Sequence, residues 1–182
     1  MLGKRAKSYF GRGNDACKVY CGRTFVPMKA FHVELLESCR GLLAEDGMNA
    51  LADVCALLKS EAPRYDWVGF YWMNDADQHL VLGAYAGAPT DHVRIPYGTG
   101  ICGQVAVSGT LLNVDDVASS DNYLACSMET KSELVVPIRS NDRLVGQLDI
   151  DSHTLRAFTD DDVHFCTLLC DLVARIWVPA AS

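Results

Sequence analysis

Eight cysteines stand at positions 17, 21, 39, 55, 102, 126, 166 and 170 of the chain, and their surroundings separate them by chemistry. Cys102 lies in Gly98-Thr99-Gly100-Ile101-Cys102-Gly103, at the expected start of a short helix. Backbone N–H groups and the helix dipole at such a start lower a thiol pKa and favour the reactive thiolate. Cys126 lies in Asn122-Tyr123-Leu124-Ala125-Cys126-Ser127, a polar stretch rather than an apolar face. Two readings stay open for this pair, reactive thiols or small buried loop residues. Cys39 and Cys55 fall on helical core positions, and Cys166 and Cys170 are four apart on an apolar helix face, so these four read as packing residues. The Cys-x-x-x-Cys spacing of Cys17–Cys21 and Cys166–Cys170 is not the tight-turn spacing of zinc sites, and no metal is expected.

Carboxylates form a second group. Asp149 and Asp151 alternate in Leu148-Asp149-Ile150-Asp151-Ser152, so on a strand they point to one face. Glu133 opens the preceding strand of the same expected hairpin. Three carboxylates held together repel unless a cation neutralises them. A metal and a ligand ammonium are candidates, and solvated acids at a sheet edge are the alternative. Aromatic residues form a third group. Trp67, Gly69 and Tyr71 alternate on one strand, with Phe70 and Trp72 on its other face. Trp67 and Tyr71 can wall an apolar pocket or hold a sulfur group, or both faces are core.

The elements that must position these residues are legible in the periodicity. Phe31, Leu35, Cys39 and Leu42 recur at helical spacing, with Gly41 or Gly47 ending the run. Met48, Leu51, Val54, Cys55 and Leu58 give a second helix, closed by Pro63. Tyr65 to Met73 and His79 to Tyr85 read as a hairpin turning at 74–77. Val93 to Pro96, a helix near 101–108 and a strand at 111–114 follow, then a polar stretch with a short helix at 115–130. Glu133 to Arg139 and Arg143 to Asp149 form a second hairpin across Asn141-Asp142. Thr159, with Asp162 three residues on, starts a final helix that carries Val163, Cys166, Cys170, Val173 and Trp177 on one face. This order predicts an α+β domain with an antiparallel sheet and helices packed on one face. The long segment from Gly87 to Ser132 would close a pocket on the other face.

Length and charge narrow the function. A chain of 182 residues suits one domain with a short extension and can bury a full core. The domain is expected over 27–182. Residues 1–26 hold six of the sixteen Lys and Arg residues and no sustained apolar period, and read as a mobile or loosely docked arm. An organelle transit peptide is the alternative for that segment, whose only acid is Asp15. A net charge of -7 argues against nucleic acid as the main partner. No apolar run approaches the roughly 20 residues that span a bilayer, so no membrane is expected. The absence of a signal-peptide pattern and a size that needs no disulfide staples point to a reducing, cytoplasmic setting.

Taken together, Trp67-Val68-Gly69-Phe70-Tyr71, the run at 93–103 (VRIPYGTGICG), the run at 122–138 (NYLACSMETKSELVVPI) and the run at 146–152 (GQLDIDS) resemble a GAF domain. More closely, they are similar to the free methionine-(R)-sulfoxide reductases, from about Phe31 to Trp177. The resemblance implies a GAF fold of about six antiparallel strands. It implies that the Cys126 thiolate attacks the sulfoxide sulfur and becomes a sulfenic acid, which a second thiol, Cys102, converts to a disulfide. It places Glu133, Asp149 and Asp151 on the acids that hold substrate, and Trp67 and Tyr71 on the aromatic wall. No cofactor is implied beyond a thioredoxin-type dithiol as reductant, and a homodimer is suggested. The sequence departs from the family in one place. The cysteine usual just before the Val-Arg-Ile-Pro run is replaced by Pro89-Thr90-Asp91-His92. Cys102 then resolves alone, or an external thiol resolves, or the domain is a non-catalytic sensory module that only binds. His92 is either a nearby proton donor or a plain loop histidine.

Overall fold

The computed structural model describes residues 16–21, 24–119 and 129–177, with side chains from residue 28 onward. Strands β1 (Ala16–Cys21) and β2 (Thr24–Lys29) pair antiparallel as a hairpin, within and just beyond the segment read as an arm. The Cys17 and Cys21 side chains lie outside the described residues. Met28, at the end of β2, is buried in the main core.

Helix α1 (Ala30–Asp46) stops at Gly47, whose φ of 58° suits glycine and whose N–H bonds back to Leu43. Its buried face is His32, Leu35, Leu36, Cys39 and Leu43. Phe31, expected on that face, is instead 42% exposed at the first turn. The face runs one position later than the apolar spacing suggested, because a buried polar residue, His32, occupies the first inward position. A 3-10 turn (Gly47–Ala50) leads into α2 (Leu51–Glu61).

The chain then makes β3 (Trp67–Asn74), β4 (His79–Ala86), β5 (Arg94–Pro96), helix α3 (Gly100–Ser108), β6 (Leu112–Val114), β7 (Ser132–Ser140), β8 (Arg143–Ser152) and helix α4 (Asp160–Ile176). Six strands form one antiparallel sheet in the order β5-β4-β3-β8-β7-β6. This is the expected α+β architecture. The β7–β8 hairpin turns at Asn141 and Asp142, with φ of 50° and 62°. Both central residues at positive φ match the right-handed strand twist, and Asn and Asp tolerate that conformation best after Gly. The Thr159–Asp162 capping box opens α4 as its sequence indicates.

Alternation divides the sheet into two faces. Val68 and Phe70 of β3, Leu134, Val136 and Ile138 of β7, and Leu148 and Ile150 of β8 pack under α1, α2 and α4. Cys39, Cys55, Cys166 and Cys170 belong to this core, and burial pushes the Cys39 and Cys55 thiols up to about 12. The opposite face carries Trp67, Tyr71 and Val135 beneath Ile101, Cys102, Val105 and Ala106 of α3. Among the described residues no helix is long and apolar enough to cross a membrane.

Candidate functional site

The site lies on the α3 face, and strand register assembles it. Trp67 pairs with Asp151 and Gly69 with Asp149 across β3 and β8. Asp151 pairs with Glu133 and Asp149 with Val135 across β8 and β7. Asp149, Asp151 and Glu133 therefore share one patch at the middle of the sheet, as their alternation implies. They are not solvated edge acids: their exposures are 0%, 2% and 1%. Among the described residues Glu133 Oε2 and Asp151 Oδ1 have no hydrogen-bond partner, and Asp149 has only the neighbouring Cys102 thiol.

Burial raises all three acids, since taking a carboxylate out of water disfavours its charged form. Asp149 is pushed up to about 7 by burial. Glu133 is raised well above the ordinary range by burial and then by the charges of Asp149 and Asp151. Asp151 is raised by burial and then by Asp149 and Asp66. The three titrate together. A buried cluster of this kind favours a cation that neutralises the acids and donates to their lone pairs.

Helix α3 carries Cys102 over this patch. The chain reaches it through Gly98 and Gly100, with φ of 82° and 65°. Gly103 packs so closely that an added Cβ would lie 2.7 Å from the Pro96 carbonyl oxygen. The Cys102 thiol is 3.9 Å from Glu133 Oε1. Cys102 Sγ and oxygens of Glu133 and Asp149 all lie within 4.8 Å of one another. The structure thus joins the second expected thiol to the acid trio. Cys126 falls in 120–128 and lies outside the described residues.

The aromatic pair forms the adjoining wall. Trp67 and Tyr71 stack with ring centroids 6.2 Å apart, and Tyr85 stacks on Trp67 at 5.5 Å. The Trp67 indole lies across Gly69, where an added Cβ would stand 2.2 Å from the ring. Both ring tips are tied to the loop after β4. Trp67 Nε1 donates to the Ala88 carbonyl at 3.1 Å, and Tyr71 Oη donates to the His92 carbonyl at 2.9 Å. The His92 backbone N–H donates to Thr90 Oγ1 at 3.1 Å.

Sequence reasoning did not single out Gln147, Tyr85 or the seat that Gly69 offers. Gln147 pairs with Tyr71, is fully buried, and has neither amide atom hydrogen bonded among the described residues. Its signal was present, because 147, 149 and 151 share one alternation. Nothing local marks Tyr85, whose approach to Trp67 depends on the β3–β4 register.

Residues 34–177 match the GAF domain family. The chain is 36% identical over 124 residues to Protein YtsP of Bacillus subtilis, covering 68% of this chain and 76% of that protein. It is 34% identical over 134 residues to the free methionine-R-sulfoxide reductase of Escherichia coli, covering 72% and 79% of the two chains. Among solved structures, the free methionine-R-sulfoxide reductase of Neisseria meningitidis, in complex with its substrate, matches with a TM-score of 0.75 and 34% identity. That match covers 79% of this chain and 86% of the other.

Proposed function

This chain belongs to the GAF domain family, together with the free methionine-R-sulfoxide reductases, and from that membership we propose that it reduces free methionine-(R)-sulfoxide to methionine. The observation that carries the reading is the buried trio Glu133, Asp149 and Asp151, with no cationic side chain against it among the described residues and the Cys102 thiol beside Glu133 and Asp149. The trio suits the ammonium of a free amino acid, which supplies both the missing charge and the missing donors. Trp67 and Tyr71 suit the methyl-sulfur end.

In this mechanism the Cys126 thiolate attacks the sulfoxide sulfur. The oxygen passes from the methionine sulfur to the Cys126 sulfur as the transient sulfur–sulfur bond breaks and one proton is taken up, so methionine leaves as the thioether and Cys126 is left as the sulfenic acid. Cys102 then attacks the sulfenic sulfur, water leaves, and a Cys102–Cys126 disulfide forms. A thioredoxin-type dithiol returns both thiols and is itself oxidised.

The test is methionine release from the free R-sulfoxide with dithiothreitol as reductant. Cys126→Ser is expected to abolish it, and undiminished release in that variant overturns the assignment. Peptide-bound sulfoxide is expected to be a poor substrate, because a closed acid hollow that takes a free ammonium excludes a continuing chain. The sequence Pro89-Thr90-Asp91-His92 favours a second reading, in which the domain binds without turnover. Calorimetric binding of methionine sulfoxide with no thiol oxidised would establish that alternative.

A further inference from the structure

We propose that Cys102, Glu133 and Asp149 also form a site for a divalent borderline cation, Zn²⁺ above all, which occupies the substrate's ammonium position and blocks the Cys102 thiol. The blocking role rests on the reductase reading above, whereas the metal site does not.

The geometry carries the proposal. One sulfur and two carboxylate oxygens come from three different elements, α3, β7 and β8, and lie within 4.8 Å of one another. Zn²⁺ binds thiolate at about 2.3 Å and carboxylate at about 2.0–2.2 Å, which puts tetrahedral ligands about 3.5 Å apart. The Cys102 Sγ to Glu133 Oε1 separation is 3.9 Å, so only a few tenths of an ångström separate the pair from that spacing. Among the described residues the Cys102 thiol is the one group found against these acids. Glu133 Oε2 has no hydrogen-bond partner among the described residues, and Glu133 and Asp149 are buried at exposures of 1% and 0%.

The donor set selects among metals. A sulfur ligand and a small ligand number disfavour Mg²⁺ and Ca²⁺, which take six or more oxygens, and favour Zn²⁺ or Co²⁺. Binding replaces the thiol proton: Cys102–SH and M²⁺ give Cys102–S–M⁺ and a proton released to solvent. Glu133 and Asp149 release to solvent any proton they carry as the ion binds, and two carboxylates and one thiolate then more than neutralise it, with no change of oxidation state. The same ion leaves no room for an ammonium on Glu133 and Asp149, and it sequesters the electron pair that Cys102 needs to attack a sulfenic sulfur.

Co²⁺ titration of the reduced, metal-free full chain tests this. Saturable binding is expected, with a near-ultraviolet thiolate-to-cobalt charge-transfer band that Zn²⁺ removes and Mg²⁺ does not. Cys102→Ser, a shape-conserving change, is expected to lower the binding by one ion per chain and to remove that ion's share of the band. Asp149→Asn and Glu133→Gln are each expected to weaken that ion roughly tenfold or more. Circular dichroism confirms that each variant is folded, and Zn²⁺ is expected to raise the Tm of the wild type but not of Cys102→Ser. Unchanged stoichiometry and band in Cys102→Ser, or no saturable binding by the wild type, overturns the proposal. Methionine-(R)-sulfoxide is expected to displace the site-specific ion. A site-specific band that the sulfoxide leaves intact would retain the metal site and count against the substrate reading.

Discussion

Two residues show how much single side chains decide in this domain. Trp67 lies flat only because residue 69 has no Cβ. Gly69→Ala must lift the indole from its seat or shift the strand. We expect a loss of about 1–3 kcal/mol in stability from the forced repacking, and a several-fold rise in KM for free methionine-(R)-sulfoxide, read by chemical denaturation and initial rates. Asp162 is the other. It is buried at the start of α4 and accepts from Tyr65 Oη at 3.0 Å, Arg64 at 3.4 Å and the Thr159 N–H at 2.8 Å, with His32 Nε2 at 3.2 Å. Burial pushes its carboxyl up, but the bonds from His32, Thr159 and Tyr65 outweigh that and hold it below the ordinary range. Asp162→Asn breaks a buried charge network and is expected to cost roughly 3 kcal/mol. For a chain of this length that lowers Tm by about 6–12 °C in thermal melts. Neither effect shows in the sequence. Gly69 is one small residue in an aromatic strand, and His32 reaches an acid 130 positions away.

At the scale of elements, what the sequence shows and what it hides follow from the range of the interactions. Strands β3, β7 and β8 declare themselves, because period-two alternation puts Trp67, Tyr71, Glu133, Asp149 and Asp151 on one face whatever the detailed packing. The Asn141-Asp142 turn and the Thr159 cap are equally local signals. The inward face of α1 is less legible, since its first buried residue is a histidine held by a distant carboxylate. The meeting of Cys102 with the acids is not legible at all from spacing. It depends on α3 folding back over the sheet through Gly98 and Gly100, and on Gly103 lying against the Pro96 carbonyl. The helix-side thiols supply a prediction at this scale. Burial raises Cys39 and Cys55 to about 12, and raises Cys166 and Cys170 as well. In native protein at pH 8 these four should resist iodoacetamide, and all should react in denaturant, as mapped by mass spectrometry.

For the whole molecule, the two acid clusters bend the stability profile in opposite senses. Asp162 has a folded pKa below its ordinary value of 3.8, so its contribution is complete above that value and is lost as pH falls through the folded pKa. Asp149 has a folded pKa raised from 3.8 to about 7. Between those values the folded protein holds more protons than the unfolded chain, and stability declines as pH rises. Glu133 and Asp151 act in the same direction. Ligand-free protein should therefore be most stable in mild acid, near pH 4, and lose on the order of 4 kcal/mol towards neutrality through Asp149 alone. Urea denaturation across pH 3–8 checks this, and Asp149→Asn should flatten the neutral side. A bound cation should flatten it too, because it stabilises the ionised acids.

The moorings of the aromatic wall have an evolutionary reading. Trp67 and Tyr71 grip the loop through the carbonyls of Ala88 and His92, and every amino acid supplies a carbonyl. The wall therefore holds the course of the loop through its backbone, and the Thr90 hydroxyl adds a side-chain bond within it. A thiol introduced at position 89 or 91 would leave both moorings in place. The residues at 89–92 can therefore be exchanged at little cost to the course of the chain, and the stretch Pro89-Thr90-Asp91-His92 is one such choice.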